Sequence, residues 1–294
     1  MRPHPHGPGL TLKLLIAALA LSLAPFIAPG AGAVSLDALF APKADLWERW
    51  TRHDPQSAQI VDHRDWGEFL TRYVVVGDDG INRVAYGDVT AGDRAALGTY
   101  IDRLAALPVS TLNRDEQLAF WVNLYNALTV QVVLDHFPVD TILDIDISPG
   151  FFADGPWGKT LVTVEGHEVS LNDIEHRILR PIWRDPRIHY AVNCASIGCP
   201  NLIAHPFTGS GAPALLDEGA RSYINHPRGV SAGPDGLVLS KIYSWFEEDF
   251  GRDEEDVIAH IRRFADLALA ESLALNDEIS DYRYDWSLNG TSLP

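Results

Sequence analysis

The stretch NRDEQLAFWVNLYNALTVQVVLDHFP, residues 113–138, constrains the fold more than any other part of the chain. It predicts a helix that opens at Asn113 or Arg114 and ends at His136. Asp115 and Glu116 place negative charge at the positive end of the helix dipole, and Pro138 stops the helix. At about 100° per residue, Glu116, Phe120, Asn123, Ala127 and Val130 share one face, while Trp121, Leu124, Tyr125, Leu128 and Val132 cover much of the rest. A helix apolar on nearly every side belongs in the middle of a core. Burying Asn123, Asn126 or Glu116 there costs roughly 2–7 kcal/mol for each polar group left without a partner, so each is expected to hold one.

The segments around this helix read as a mixture of types. Residues 36–72 are helical in texture and carry Trp47, Trp50 and Trp66; YVVVGDDGINRVAY (73–86) reads as two short strands about a glycine-rich turn; a helix over 91–107 stops at Pro108. TLVTVEGHEVSL alternates as a hairpin turning at Glu165-Gly166, and Ser170 caps the helix LNDIEHRILR, with Asp173 as the capping-box acid and Pro181 as its end. RIHYAV (187–192) reads as a strand. A helix over 212–225, a strand GLVLS, a short aromatic helix KIYSWFEEDF, an amphipathic helix over 254–270 and a polar tail with SDYRYDWSLN complete the chain. The expected architecture is α+β, a buried central helix packed on a mainly antiparallel sheet. No repeat, low-complexity tract or Ser/Gly linker interrupts it, so residues 34–294 are read as a single globular domain.

Arg2 and Lys13 precede or flank an apolar run at residues 14–28, and Ala31-Gly32-Ala33 follows, the order of a secretion signal cleaved after Ala33. The run is shorter than the roughly 20 residues that span a bilayer. The expectation is a periplasmic or secreted protein with no membrane attachment after cleavage of residues 1–33. Asp and Glu number 40 against 23 Lys and Arg, a net charge of −17 that repels phosphate backbones and argues against a nucleic-acid partner. Residues 150–158, with Gly150, Gly155 and Gly158, lack the Gly-Lys-Ser ending of a phosphate loop, and no cofactor is called for.

Chemistry-bearing residues concentrate in RIHYAVNCASIGCPNL, residues 187–202, which holds both cysteines, Cys194 and Cys199. His189 and Cys194 form a thiol–imidazole pair if the chain bends at Asn193; the amides near Ala195 and Ser196 then offer an oxyanion hole, with Glu116 or Asn123 orienting the imidazole. Two other readings use the same residues. An oxidising compartment favours a Cys194–Cys199 disulfide. Zinc would take His189, Cys194 and Cys199 with His205 or His176, although the usual Cys-x-x-Cys spacing is absent. His176 and Arg180, four apart on one helix face, and Lys241, beside Tyr243, Trp245 and Phe246, are further candidates for binding, as is Asn126.

Five motifs in order, EQLAFWVNLYNALT, SLNDIEHRILR, DPRIHYAVNCASIGCPNL, LSKIYSWFEEDF and YDWSLN, give the chain its resemblance to the domain-of-unknown-function family 547. That resemblance implies relatives without implying a reaction. It also implies a distant similarity to papain-like and transglutaminase-like folds, in which a Cys–His pair lies between a buried helix and a sheet. Here Glu116 stands where such enzymes begin the helix with cysteine, and the cysteine follows the histidine. Plant members of the family carry a zipper-like segment before the domain; a secretion signal stands here instead. The function expected is a cysteine-dependent hydrolase or acyl transferase for an amide or thioester in a small, peptide or cell-envelope substrate, with a non-catalytic binding or scaffold protein as the alternative.

Overall fold

The computed structural model describes residues 41–149 and 155–291. The secretion signal expected over residues 1–33, the first residues of the helical entry segment and Gly150 lie outside these. The described residues fall in one compact unit.

The entry segment is helical in only two places, a 3-10 turn at Glu48–Thr51 that buries Trp50, and α1 (Arg64–Tyr73), which buries Trp66. The hairpin β1 (Val74–Val76) and β2 (Asn82–Val84) follows, then α2 (Ala91–Ala105), whose Thr90 cap accepts the Asp93 N–H. In α3 (Arg114–His136), Asn113 Oδ1 accepts the Glu116 N–H at 3.0 Å, and every residue from 116 to 130 is buried. Its neighbours include α2 and the helical elements formed by residues 173–179 and 212–224, so the core round it is largely helical. In the next hairpin, β3 (Val162–Val164) and β4 (His167–Val169), Glu165 and Gly166 both adopt positive φ, 46° and 81°. This is the two-residue geometry whose twist matches paired strands.

Ser170 and Asp173 form the expected reciprocal cap: the Ser170 hydroxyl accepts the Asp173 N–H at 3.1 Å, and the Asp173 carboxylate accepts the Ser170 N–H at 3.0 Å. Pro181, however, does not end the helix. A π-helix, Asp173–Leu179, runs into α4 (Arg180–Trp183), and the turn closes at Arg184 with φ 51°. Proline supplies no N–H. The carbonyls of His176 and Arg177 instead accept the backbone N–H groups of Asp45 and Trp47, both at 3.0 Å, so the entry segment satisfies what the proline leaves open.

The segment read as a strand, 187–192, is a 3-10 helix over Pro186–Tyr190. Asp185 caps it by accepting the Arg187 N–H at 2.9 Å, and proline occupies its first turn. Ile188, His189 and Tyr190 are all buried, and only Pro186 and Arg187 keep partial exposure. The chain continues through α5 (Ala212–Ile224), β5 (Val230–Gly233), β6 (Gly236–Ser240), α6 (Lys241–Trp245) and α7 (Glu247–Phe250), the last two separated at Phe246. The amphipathic stretch is two helices, α8 (Glu254–Phe264) and α9 (Leu267–Leu275), because Asp266 turns to accept the Leu269 N–H and starts a new one. The final strand, β7 (Ile279–Arg283), lies parallel to β6, whose other edge pairs antiparallel with β5. The architecture is thus α+β with small, mostly antiparallel sheets. Ile188, Ala191 and Val192 join the apolar cluster around α3, whereas Tyr190 joins a second one built on α5, β6 and α8. The candidate site lies on this seam. No helix among the described residues is long and apolar enough to cross a membrane.

Candidate functional site

The cysteine loop is shaped by side-chain amides. Asn126, buried in α3, donates to the Ala191 carbonyl and accepts the Asn193 N–H, both at 2.9 Å. Asn193 in turn donates to the Pro200 carbonyl at 2.7 Å and accepts the Ala195 N–H at 2.9 Å, drawing the two ends of the loop together. Ala195 sits at φ 61°, a left-handed position unusual for a residue with a Cβ. The C-terminal segment clamps the outside: the Ile197 and Gly198 N–H groups donate to Ser287 and Asp285 carbonyls at 2.8 and 2.7 Å, and the Asn289 N–H donates to the Ala195 carbonyl at 3.0 Å. A Cβ on Gly198 would stand 2.7 Å from the Asp285 nitrogen, so this approach requires glycine.

Both thiols are free. The Cys194 sulfur lies 3.0 Å from the Tyr284 hydroxyl and 3.3 Å from the Ser196 hydroxyl, and these hydroxyls are 3.0 Å apart. The Cys199 sulfur accepts the Cys194 N–H at 2.9 Å. Burial by itself raises the Cys194 thiol, but hydrogen bonds from Cys199, Ser196 and Tyr284 outweigh it and hold this thiol below its ordinary value. Cys199 moves the other way, well above the ordinary thiol range, because it is buried and keeps the proton it lends to Cys194.

His189 is buried and stacked on Phe246, with ring centroids 4.6 Å apart. Its Nε2 meets Asp249 Oδ2 at 2.6 Å; its Nδ1 is 3.7 Å from Glu175 Oε1, beyond hydrogen-bond distance. Glu175 accepts the Tyr125 hydroxyl at 2.9 Å. Asp249 also receives Arg180 Nε, and although burial raises its carboxyl, His189 and Arg180 hold it below the usual carboxylate range. Arg180, its side chain 1% exposed, spends its other donors on the Pro42 carbonyl at 2.7 Å, His176 Nδ1 at 3.0 Å and Glu248 at 3.1 Å. Burial drives His176 down to about 4, so it is neutral near pH 7; because Arg180 donates to Nδ1, its remaining proton belongs on Nε2.

Cys194, Cys199, Glu175, His176 and His189 all line one cavity of about 660 Å³. The structure thus brings His189 and Cys194 to a common space, yet no hydrogen bond joins them among the described residues, and the sulfur's partners are hydroxyls and the second thiol. Glu116 is not with them: its Oε2 accepts the Val61 N–H at 3.1 Å, and Asp249 is the carboxylate at His189. Asn123 holds Phe207 through paired bonds of 2.8 and 3.0 Å and does not line the cavity. Lys241 opens α6 and does not line it either. The Ala195 N–H, expected in an oxyanion hole, is taken by Asn193. No group of three His, Cys, Asp or Glu among the described residues could hold a metal ion, which leaves the zinc set of His189, Cys194 and Cys199 with His205 or His176 without geometry.

Glu175, Asp249, Tyr125 and Tyr284 are site residues that sequence reasoning missed. Glu175 precedes His176 in a motif already singled out, and Asp249 and Tyr284 belong to the motifs WFEEDF and YDWSLN. The signal was present, but nothing in the spacing says that segments 60 to 90 residues apart meet His189 and Cys194.

Residues 109–224 match the family model described as "Protein of unknown function, DUF547", and over this span the chain resembles that family. The matched span contains α3, the π-helix and the cysteine loop. Asp249 and Tyr284 lie beyond it. No curated protein and no solved structure matches the chain.

Proposed function

We propose that the chain is an exported cysteine-dependent hydrolase or acyl transferase that acts on an amide or thioester of a small or peptide substrate. The observation that supports this reading is the Cys194 thiol, held below its ordinary range by three hydrogen-bond donors and opening on a cavity also lined by His189, whose ring is paired with Asp249. In this scheme the Cys194 thiol gives its proton to His189 Nδ1, the thiolate attacks the substrate carbonyl and an S–C bond forms; it is this proton that the leaving group later receives. His176 offers its Nε2 proton to the developing oxyanion. The tetrahedral intermediate collapses, the C–N or C–S bond breaks, and the leaving group takes a proton from His189, whose Nδ1 edge is not closed by a hydrogen bond. Water, or an acceptor amine or alcohol, then resolves the thioester. Asp249 orients the imidazole, the role first expected of Glu116.

The test is hydrolysis of a panel of aryl esters, thioesters and amides by the parent protein and by Cys194→Ala, His189→Gln and Asp249→Asn. Cys194→Ala is expected to abolish turnover, and the other two to reduce it at least a hundredfold. Turnover that survives Cys194→Ala would remove the nucleophile from the scheme.

A second reading, a non-catalytic binding protein with a Cys194–Cys199 disulfide, draws support from the 2.9 Å contact between the Cys194 N–H and the Cys199 sulfur. A thiol count on denatured, unreduced protein separates the two. Zero thiols favours the disulfide, and two favours the nucleophile.

A further inference from the structure

The cavity has a second wall that the acyl-transfer scheme leaves unused. Trp157, Trp245, Tyr284 and Trp286 line it together and touch in sequence: Trp157 to Trp286 at 5.9 Å, Trp286 to Tyr284 at 4.6 Å and Tyr284 to Trp245 at 4.9 Å between centroids. All four are half-buried, so ring surface that could have joined the core remains toward the cavity. Tyr284 belongs to both walls, because its hydroxyl meets the Cys194 sulfur at 3.0 Å while its ring packs on Trp286. A group resting on the tryptophans is therefore one tyrosine ring away from the nucleophile.

The charge of the lining selects among ligands. Glu175 lines the cavity, and no lysine or arginine does among the described residues. His176 adds no charge near neutral pH. Arg180 stands behind His176, its side chain buried and committed to Asp249, Glu248 and the Pro42 carbonyl. Apart from His189, which is already paired with Asp249, such a lining offers an anionic group no counter-charge. For a cation it offers the negative faces of several rings, a carboxylate and a field of net −17 that draws cations toward a cleft. Aromatic faces hold ammonium groups in this way, and a neutral isostere of the same shape gains only the hydrophobic part.

We propose that this wall binds an ammonium group carried by the substrate next to the acyl centre, so that the substrate class is an amide or thioester with a cationic amine or quaternary ammonium close to the reacting carbonyl. This rests on the acyl-transfer reading for the word substrate, but the binding site itself does not need catalysis.

The experiment therefore uses full-length Cys194→Ala protein, with binding followed by calorimetry and tryptophan fluorescence. The probes are choline and its neutral isostere 3,3-dimethylbutan-1-ol. Saturable choline binding, at least tenfold weaker binding of the alcohol, and at least a tenfold loss of choline affinity in Trp286→Leu and in Glu175→Gln are expected. Circular dichroism and thermal melting confirm that each variant folds, and Trp157→Leu replaces Trp286→Leu should the latter fail to fold. Equal binding of the two probes overturns the proposal in favour of an apolar slot. Absence of saturable choline binding overturns it outright. Turnover of neutral substrates by the parent protein alongside either result would leave the cysteine mechanism standing without the cation site.

Discussion

Asn126→Ala tests whether one buried amide holds the cysteine loop in place. In the parent protein the Asn126 side chain satisfies the Ala191 carbonyl and the Asn193 N–H, both at 2.9 Å, from a residue 3% exposed. Alanine removes both partners at once and leaves two buried backbone groups unpaired. Each costs about 1–3 kcal/mol, so the expected destabilisation is about 2–6 kcal/mol. That is a large part of the roughly 5–15 kcal/mol that holds a typical domain together. Urea unfolding followed by tryptophan fluorescence reads the change. Asn126→Asp is expected to be at least as damaging, because its carboxylate has no proton to give the Ala191 carbonyl. Since Asn193 also ties the loop ends through Pro200 and Ala195, the loosened loop should lose the low Cys194 thiol as well. A loss of stability below about 0.5 kcal/mol would show that the Asn126 amide does not hold the loop, since exposed substitutions commonly stay within that range.

Three further outcomes are expected. Gly198→Ala sets a Cβ against the Asp285 backbone and should cost roughly 1–3 kcal/mol, read as a lower urea midpoint, together with a slower alkylation of Cys194. Stability should fall on acidification from about pH 6.5 to about pH 4. His63, His176 and His260 are held neutral by burial with folded values of about 4, so the unfolded chain binds more protons across that window; unfolding free energy measured against pH should slope less in His176→Gln. The same effect predicts no further loss from these groups below about pH 4. Tyr284→Phe removes one donor from the Cys194 sulfur and should move the midpoint of its alkylation profile upward while circular dichroism stays unchanged.

The central helix was legible because every signal agreed: cap, acidic first turn, all-round apolar surface and terminal proline gave its end at His136 and narrowed its start to Asn113 or Arg114, of which Arg114 is the first helical residue and Asn113 the cap. The Glu165-Gly166 turn was legible from the alternation on either side of it and from Gly166, although Glu165 also takes a positive φ that its side chain does not favour. Pro181 misled because a proline ends a helix only when its lost hydrogen bond goes unreplaced, and the donors that replace it come from Asp45 and Trp47, far away in sequence. The 3-10 helix at Pro186–Tyr190 was hidden by its burial. With Ile188, His189 and Tyr190 all inside, neither a two-residue nor a 3.6-residue period shows. Cys194 and His189 stood out by residue type and do share a cavity, but the partners that define them, Tyr284 and Asp249, arrive by tertiary folding. Glu116 illustrates the converse: its burial was foreseen, and its partner, the Val61 N–H, was not.

The most direct measurement of whether Cys194 is a nucleophile is its alkylation by iodoacetamide in the native protein as a function of pH, read residue by residue by mass spectrometry. A Cys194 midpoint below the value near 8.5 of a free cysteine is expected, with Cys199 unreactive until the protein unfolds. A Cys194 midpoint at or above 8.5, or alkylation of Cys199 first, would contradict a nucleophilic Cys194.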